Sequence, residues 1–230
     1  MRKIVVISLG GSLIIPDKIN VEFLEDFRKV LIKNRKKYRF AIVCGGGNVA
    51  RTYINGLEKQ KIFSKKYMQS LLGVACTRIN ARFMTYFFGK DANKGMPHDM
   101  KEMKELLRKN KIVFCGALRY EKNNTSDSTA AKLANFFNCD FINLTNVPGL
   151  YDKNPKKFKN AKFFPEISYE DFLKMARKIE FHPGQHFVLD QTAAKIIKRY
   201  NIRTYILGPD LKNFDNLLND KHFVGTIIEK

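Results

Sequence analysis

Tryptophan is absent from the sequence, so its 19 phenylalanines must fill the large-aromatic positions of any core. Cysteine is scarce: Cys44, Cys76, Cys115 and Cys139 lie at least two dozen residues apart and form no CxxC pair. That spacing excludes a zinc ribbon or a redox dithiol, and three of the four sit in or beside apolar runs, as buried free thiols of a reducing cytosol do. No stretch approaches the roughly 20 apolar residues that span a bilayer. The first apolar run, Ile4 to Leu9, is too short for a signal peptide and ends in Gly10-Gly11. A cytoplasmic protein without a membrane segment is expected. A P-loop is excluded as well, because no GxxxxGK[ST] occurs anywhere.

Acidic residues are in deficit, 22 against 42 basic, for a formal charge of +20. Such a surface attracts phosphorylated ligands, nucleic acid or anionic surfaces. Lys33, Lys36, Lys37, Lys153, Lys156, Lys157 and Lys159 fall in polar, turn-rich segments and read as a solvated face. No predicted strand pair alternates aromatic with basic residues as an RNA-binding sheet does, so no specific nucleic acid partner is expected.

What the sequence has is a repeated succession of strand, small-residue turn and helix. Ile4 to Ile7 is a β-branched run halted at Gly10-Gly11, and Phe40 to Cys44 is a second, halted at Gly45-Gly46-Gly47. Phe23, Leu24, Phe27, Val30 and Leu31 recur at helical spacing over 21 to 35, and Val49 to Leu57 continues as helix. A long helix is predicted over Lys65 to Phe88, broken by Gly89 to Pro97; its apolar stripe suits core packing or an interface equally. Helix 99–109, strand Ile112 to Cys115, helix Asp127 to Phe137 and strand Phe141 to Leu144 follow. The turn-rich segment Pro148 to Pro165 predicts a hairpin. Helices near 168–178 and 190–200, strand Thr204 to Leu207, a short helix near 211–218 and a strand over 223–228 complete the chain. The alternation predicts one α/β domain over 1–230, a three-layer sandwich with a central, mostly parallel sheet. Ligands of such sheets bind beyond the carboxyl ends of the strands, where at least four predicted strands end in Gly, Asn or Thr.

A glycine turn that opens a helix presents backbone N–H groups at the positive end of the helix dipole, where phosphate oxygens are stabilised. Gly10-Gly11-Ser12 and Gly45-Gly46-Gly47 are two such turns. The second also satisfies GxGxxA, but the acid that a dinucleotide site needs about twenty positions on is missing: Phe63 to Ser70 has none. Arg51, one turn into the following helix, is placed to reach bound phosphate bidentately. Thr125, Ser126 and Asp127 open a later helix, as N-cap residues or, functionally, as hydroxyls for an anionic substrate with an organising carboxylate. His182 and His186 are four apart, but Pro183-Gly184 between them breaks the helix a metal pair would need, so no metal site is assigned to side chains of this kind.

Taken in order, Gly10-Gly11-Ser12, GGGNVARTYI (45–54), GVACTRINA (73–81), SDSTAA (126–131), TNVPGLYDKNP (145–155), LDQTAAKII (189–197) and GTII (225–228) resemble UMP kinases of the amino-acid kinase family, the archaeal branch in particular. The resemblance spans nearly the whole chain. It implies the carbamate kinase-like fold, phosphorylation of UMP to UDP by ATP with Mg²⁺, and a homo-oligomer, commonly a hexamer. It implies an N-terminal lobe for the phosphate acceptor and a C-terminal lobe, from about residue 140, for ATP. By that similarity Gly10, Gly11, Ser12, Gly47 and Arg51 hold ATP phosphates, and Thr145, Asn146, Tyr151 and Asn154 line the adenosine pocket. Gly46, Ser70, Gly116, Thr125 and Ser126 fall on the acceptor side, with Asp127 as the catalytic, organising carboxylate.

The chain also departs from the family pattern. Ser8 stands where many members carry a lysine, Ser70 where an aspartate usually binds the UMP ribose, and Pro148 and Asn154 where acids are usual. The Gly116 to Asn124 loop lacks the family's small-residue pattern. Three activities fit these residues: UMP phosphorylation, phosphorylation of another small acceptor such as an isoprenoid phosphate or an amino acid, and nucleotide-dependent regulation without turnover.

Overall fold

A computed structural model describes residues 3–119, 124–178 and 188–230. His182 and His186 therefore lie outside the described residues. Strand β1 (Lys3–Leu9) leads through a turn to the short helix α1 (Gly11–Ile14) and on to α2 (Val21–Asn34). Strand β2 (Tyr38–Cys44) is followed by α3 (Gly47–Gly56), and the long α4 (Lys65–Phe88) ends in a 3₁₀ turn at Gly89–Asp91. Next come α5 (Met100–Lys109), β3 (Ile112–Cys115), α6 (Ser126–Phe137) and β4 (Phe141–Leu144). The C-terminal part holds β5 (Leu150–Tyr151), β6 (Phe163–Phe164), β7 (Glu166–Ile167), α7 (Tyr169–Lys178), α8 (Gln191–Tyr200), β8 (Thr204–Leu207), α9 (Leu211–Leu218) and β9 (Thr226–Ile228).

The main sheet runs β3-β2-β1-β4-β8-β9-β7, and β5 and β6 form a separate antiparallel ribbon. Every pairing in the main sheet is parallel except β8 with β9. Burial on both faces explains the unbroken β-branched runs: alternate residues of each strand feed different cores. Val6, Ala41, Val113 and Phe141 pack with α5, α6, α7 and α8, whereas Val5, Ile7, Phe40, Ile42 and Phe114 pack with α2, the C-terminal half of α4, and α9. The result is the three-layer α/β sandwich expected from the sequence. Phenylalanine does take the large positions: Phe27, Phe40, Phe88, Phe114, Phe141, Phe172 and Phe214 are fully buried. Phe88 sets its ring edge-on to Phe114 with centroids 4.7 Å apart, fixing α4 to the sheet. At the edge strand β3, the buried Asn93 accepts from the Phe114 N–H and donates to its carbonyl, so this edge is covered.

The Pro148 to Pro165 hairpin is the β5–β6 ribbon, with Tyr151 against Phe163 at 5.2 Å between centroids. The ribbon is tied to the sheet by the buried Thr226 of β9, which accepts from the Leu150 N–H and donates to the Phe164 carbonyl. Cys44, Cys76 and Cys115 are buried free thiols, and Cys139 is partly buried. Strand β7 was not separable in the sequence: its two residues fall inside a polar stretch with no period to mark them.

Candidate active site

At the carboxyl ends of β1, β2 and β4 the chain forms a cleft of about 850 Å³. Three strand ends are stitched together there: Gly10 donates its N–H to the Leu144 carbonyl and Gly45 to the Leu9 carbonyl, each at 2.9 Å. The two glycine turns consequently touch. A Cβ on Gly11 would stand 2.1 Å from the Gly47 nitrogen and 2.7 Å from the Gly45 carbonyl oxygen. Gly47 holds φ at +64°, and a Cβ there would come within 2.6 Å of the Gly11 carbonyl oxygen. Only glycine permits this contact of two backbones. A kinase reading requires both turns on one cleft, and they share it.

Both turns leave their helix starts without a side-chain cap: Gly10 precedes α1 and Gly46 precedes α3. The other helix opening on the cleft, α6, is closed off by the Thr125 hydroxyl, which accepts from Ser128 N–H. The uncapped N–H groups of the two glycine turns are therefore the ones left to meet an anion, with α3 the longer of the two helices behind them. Arg51, one turn further along α3, lines the same cleft, and no ion pair holds it among the described residues.

The same cleft is lined by Ser126 and Asp127 at the start of α6, by Thr145 next to Gly10, and by Asn146, Tyr151 and Asn154 in and beside the ribbon. Asn154 shapes its own turn by accepting from Lys156 N–H through its side chain and from Lys157 and Phe158 N–H through its carbonyl. Lys153, Lys156 and Lys157 line the cleft too, Lys153 lying 5.6 Å from the Phe158 ring centroid. Read from sequence as a solvated face, these three lysines instead border the site; the hairpin folds them over it.

Asp127 is the electrostatic focus. It accepts a hydrogen bond from the Ser8 hydroxyl at 2.7 Å. Burial, then the nearby Asp190 carboxylate, push its pKa up to about 7, and the Ser8 bond only partly offsets them. A carboxylate destabilised at the floor of a cleft, with another negative group behind it, fits a divalent cation carried in by a nucleotide's phosphates. Among the described residues no cluster of three or more histidine, cysteine, aspartate or glutamate side chains would hold a metal by itself.

Ser70, Gly116 and Thr125 are not in the cleft lining. Ser70 is exposed on α4 and donates its hydroxyl back to the Lys66 carbonyl. Gly116 packs on α4, where a Cβ would lie 2.6 Å from the Arg78 nitrogen. Gly46, which does line the cleft, meets the same helix near Gly73 and Cys76, so both glycines pack on residues 73–78 of α4. Sequence reasoning missed how α4 supports them. Asn80 donates to the Gly45 carbonyl at 2.7 Å, Thr77 accepts from Ala117 N–H at 2.9 Å, and Arg78 donates to the Ala117 and Leu118 carbonyls. The motif 73–81 carried that signal. The buried Asn143 and the capping Asp190 were missed as well, although LDQTAAKII contains the latter.

A protein-family model described as the amino acid kinase family matches residues 3–208, and the chain belongs to that family. A uridylate kinase of Thermoplasma volcanium is 34% identical over 100% of this chain and 99% of that protein. A uridylate kinase of Thermococcus kodakarensis is 31% identical over 98% of this chain and 99% of its own length. Among solved structures, uridylate kinase from Archaeoglobus fulgidus superposes with a TM-score of 0.83 at 31% identity, covering 99% of this chain and 100% of that one.

Proposed function

We propose that this chain transfers the γ-phosphoryl group of ATP to UMP, giving UDP and ADP in pyrimidine nucleotide synthesis. The observation that carries the proposal is the direct contact of the two uncapped glycine turns on one cleft. Full-length similarity to uridylate kinases supports UMP as the acceptor.

In this reading Gly10, Gly11, Ser12, Gly47 and Arg51 hold the ATP phosphates, and Thr145, Asn146, Tyr151 and Asn154 surround the adenosine. Lys153, Lys156 and Lys157 add positive charge from the ribbon side. Gly46 and Ser126 face the acceptor end, with Gly116 packed behind it on α4, and Asp127 together with the donor phosphates would hold Mg²⁺. The ion, when bound, neutralises charge on the oxygens of the transferring group. An acceptor phosphate oxygen is already a nucleophile, so no side chain has to remove a proton. The protein's part is in-line alignment, exclusion of water and preorganised positive potential from backbone N–H groups and Arg51. The acceptor lobe lies N-terminal and the ATP lobe begins near residue 140.

No helix among the described residues is long and apolar enough to cross a membrane, which suits a cytoplasmic enzyme of this kind. A homo-oligomer, hexameric as in the family resemblance, is supported by Ile79 and Tyr86, seven residues apart on α4 and 60% and 73% exposed. A coupled assay with ATP, Mg²⁺ and each of UMP, CMP, AMP and GMP tests the proposal. UMP is expected to be the preferred acceptor, and absence of UDP would refute it.

A further inference from the structure

Four contacts close a ring beneath the cleft. Ser8 on β1 donates to Asp127. Two residues before Asp127, the Thr125 hydroxyl donates to the Asp190 carboxylate. Two residues before Asp190, the Val188 carbonyl accepts from the Asn143 side-chain amide. Asn143 on β4 stands in register with Ser8 on β1, returning the ring to its start. Ser8 and Asn143 are 1% and 2% exposed, so two sides of the ring are fixed by the sheet itself.

Asp190 is the joint between the two helices. One carboxylate oxygen caps α8 by accepting from Thr192 and Ala193 N–H at 2.7 and 3.0 Å, and the other accepts from Thr125. The hydroxyl proton of Thr125 is committed to Asp190, and a lone pair is taken by Ser128 N–H. Thr125 thus fastens the start of α6 to the start of α8, and Ser126 and Asp127 are the next two residues. Nothing in this arrangement uses Thr125 to bind an acceptor.

Building on the phosphoryl-transfer reading above, we propose that Thr125 and Asp190 are positioning residues. Their bond holds Ser126 and Asp127 in the transfer geometry and makes no contact with either nucleotide. A displacement of about 1 Å at a reacting centre lowers turnover by up to roughly 100-fold without removing any binding contact. Steady-state kinetics of the full chain with ATP, Mg²⁺ and UMP test this in Thr125→Val, Thr125→Ser and Asp190→Asn, each with a melting temperature to show that it is folded. Asp190→Asn retains an oxygen to cap α8 and turns an N–H donor, in place of the acceptor, toward the Thr125 hydroxyl, so it probes the joint even where Thr125→Val fails to fold.

Thr125→Val and Asp190→Asn are each expected to lower kcat by roughly 10- to 100-fold, with both KM values within about threefold of wild type. Thr125→Ser restores the hydroxyl and kcat. The double variant is expected to be no slower than the worse single one, because both remove the same bond. A rise in KM for UMP with kcat retained would overturn the proposal by making Thr125 an acceptor contact. Wild-type kcat in folded variants, or multiplicative losses in the double variant, would overturn it as well. In those cases the kinase reading stands; a wild-type protein that makes no UDP would remove both.

Discussion

Replacing Asp127 with asparagine separates what this carboxylate does for turnover from what it costs in stability. A carboxyl displaced from 3.8 to about 7 corresponds to at most about 4 kcal/mol, at about 1.4 kcal/mol per pH unit. The native state holds the proton more tightly than the unfolded chain, so the stability this one group contributes is fully present below pH 4 and is lost as pH rises through 7. Asparagine is neutral throughout and keeps an oxygen to accept from Ser8. Against that stand about 1 kcal/mol for weakening a charge-assisted bond and the share of the repulsion borne by Asp190. Thermal melts in metal-free buffer with chelator should therefore show Asp127→Asn melting above wild type at pH 8, by roughly 4 to 10 °C for a chain of this size. The gap should narrow steadily toward pH 5, where the wild-type side chain is itself protonated, while turnover of the variant is abolished at every pH. A variant that melts below wild type at pH 8, or a gap that does not change with pH, would refute the electrostatic account of the cleft floor.

Arg51→Ala should raise KM for ATP by roughly 10- to 100-fold, and Arg51→Lys should recover little of it, because one ammonium cannot replace a two-pronged contact with phosphate; initial-rate kinetics check this. Gly47→Ala forces a methyl toward the Gly11 carbonyl at a left-handed backbone position, so nucleotide binding measured by calorimetry should be lost and the melting temperature lowered. Phe88→Ala empties a fully buried site against Phe114 and should cost about 3 to 5 kcal/mol in denaturant unfolding. Tyr86→Glu with Ile79→Glu should shift the species seen by light scattering to a smaller mass while leaving the fold intact by circular dichroism.

The sheet and its ligand edge were legible because parallel strands buried on both faces leave β-branched runs that only glycine or a polar turn can end. Gly11 and Gly47 announce a close approach in the sequence, but which backbone approaches which is decided when β1 and β2 pair in register. The polar supports were harder to read. Asn80, Asn143 and Asp190 act across 35, 45 and 65 residues of chain, and no local period marks a side chain whose partner is supplied by the topology. Thr125 shows the limit in the other direction: its N-cap role was visible locally, and its bond to Asp190 was not. Ser70 stands three residues before the 73–81 motif, where the family resemblance implies a ribose contact, yet its side chain turns back onto its own helix. The rim lysines were underestimated because charge in a turn looks the same whether the turn faces bulk water or a cleft.

The central claim is that the paired glycine turns let one phosphate meet another rather than meet water. Phosphorus NMR of the full chain with ATP, Mg²⁺ and UMP reads the destination of the group directly. Loss of the ATP γ signal should be matched, mole for mole, by growth of the UDP β signal. Growth of inorganic phosphate in its place, or an unchanged γ signal, would contradict the account.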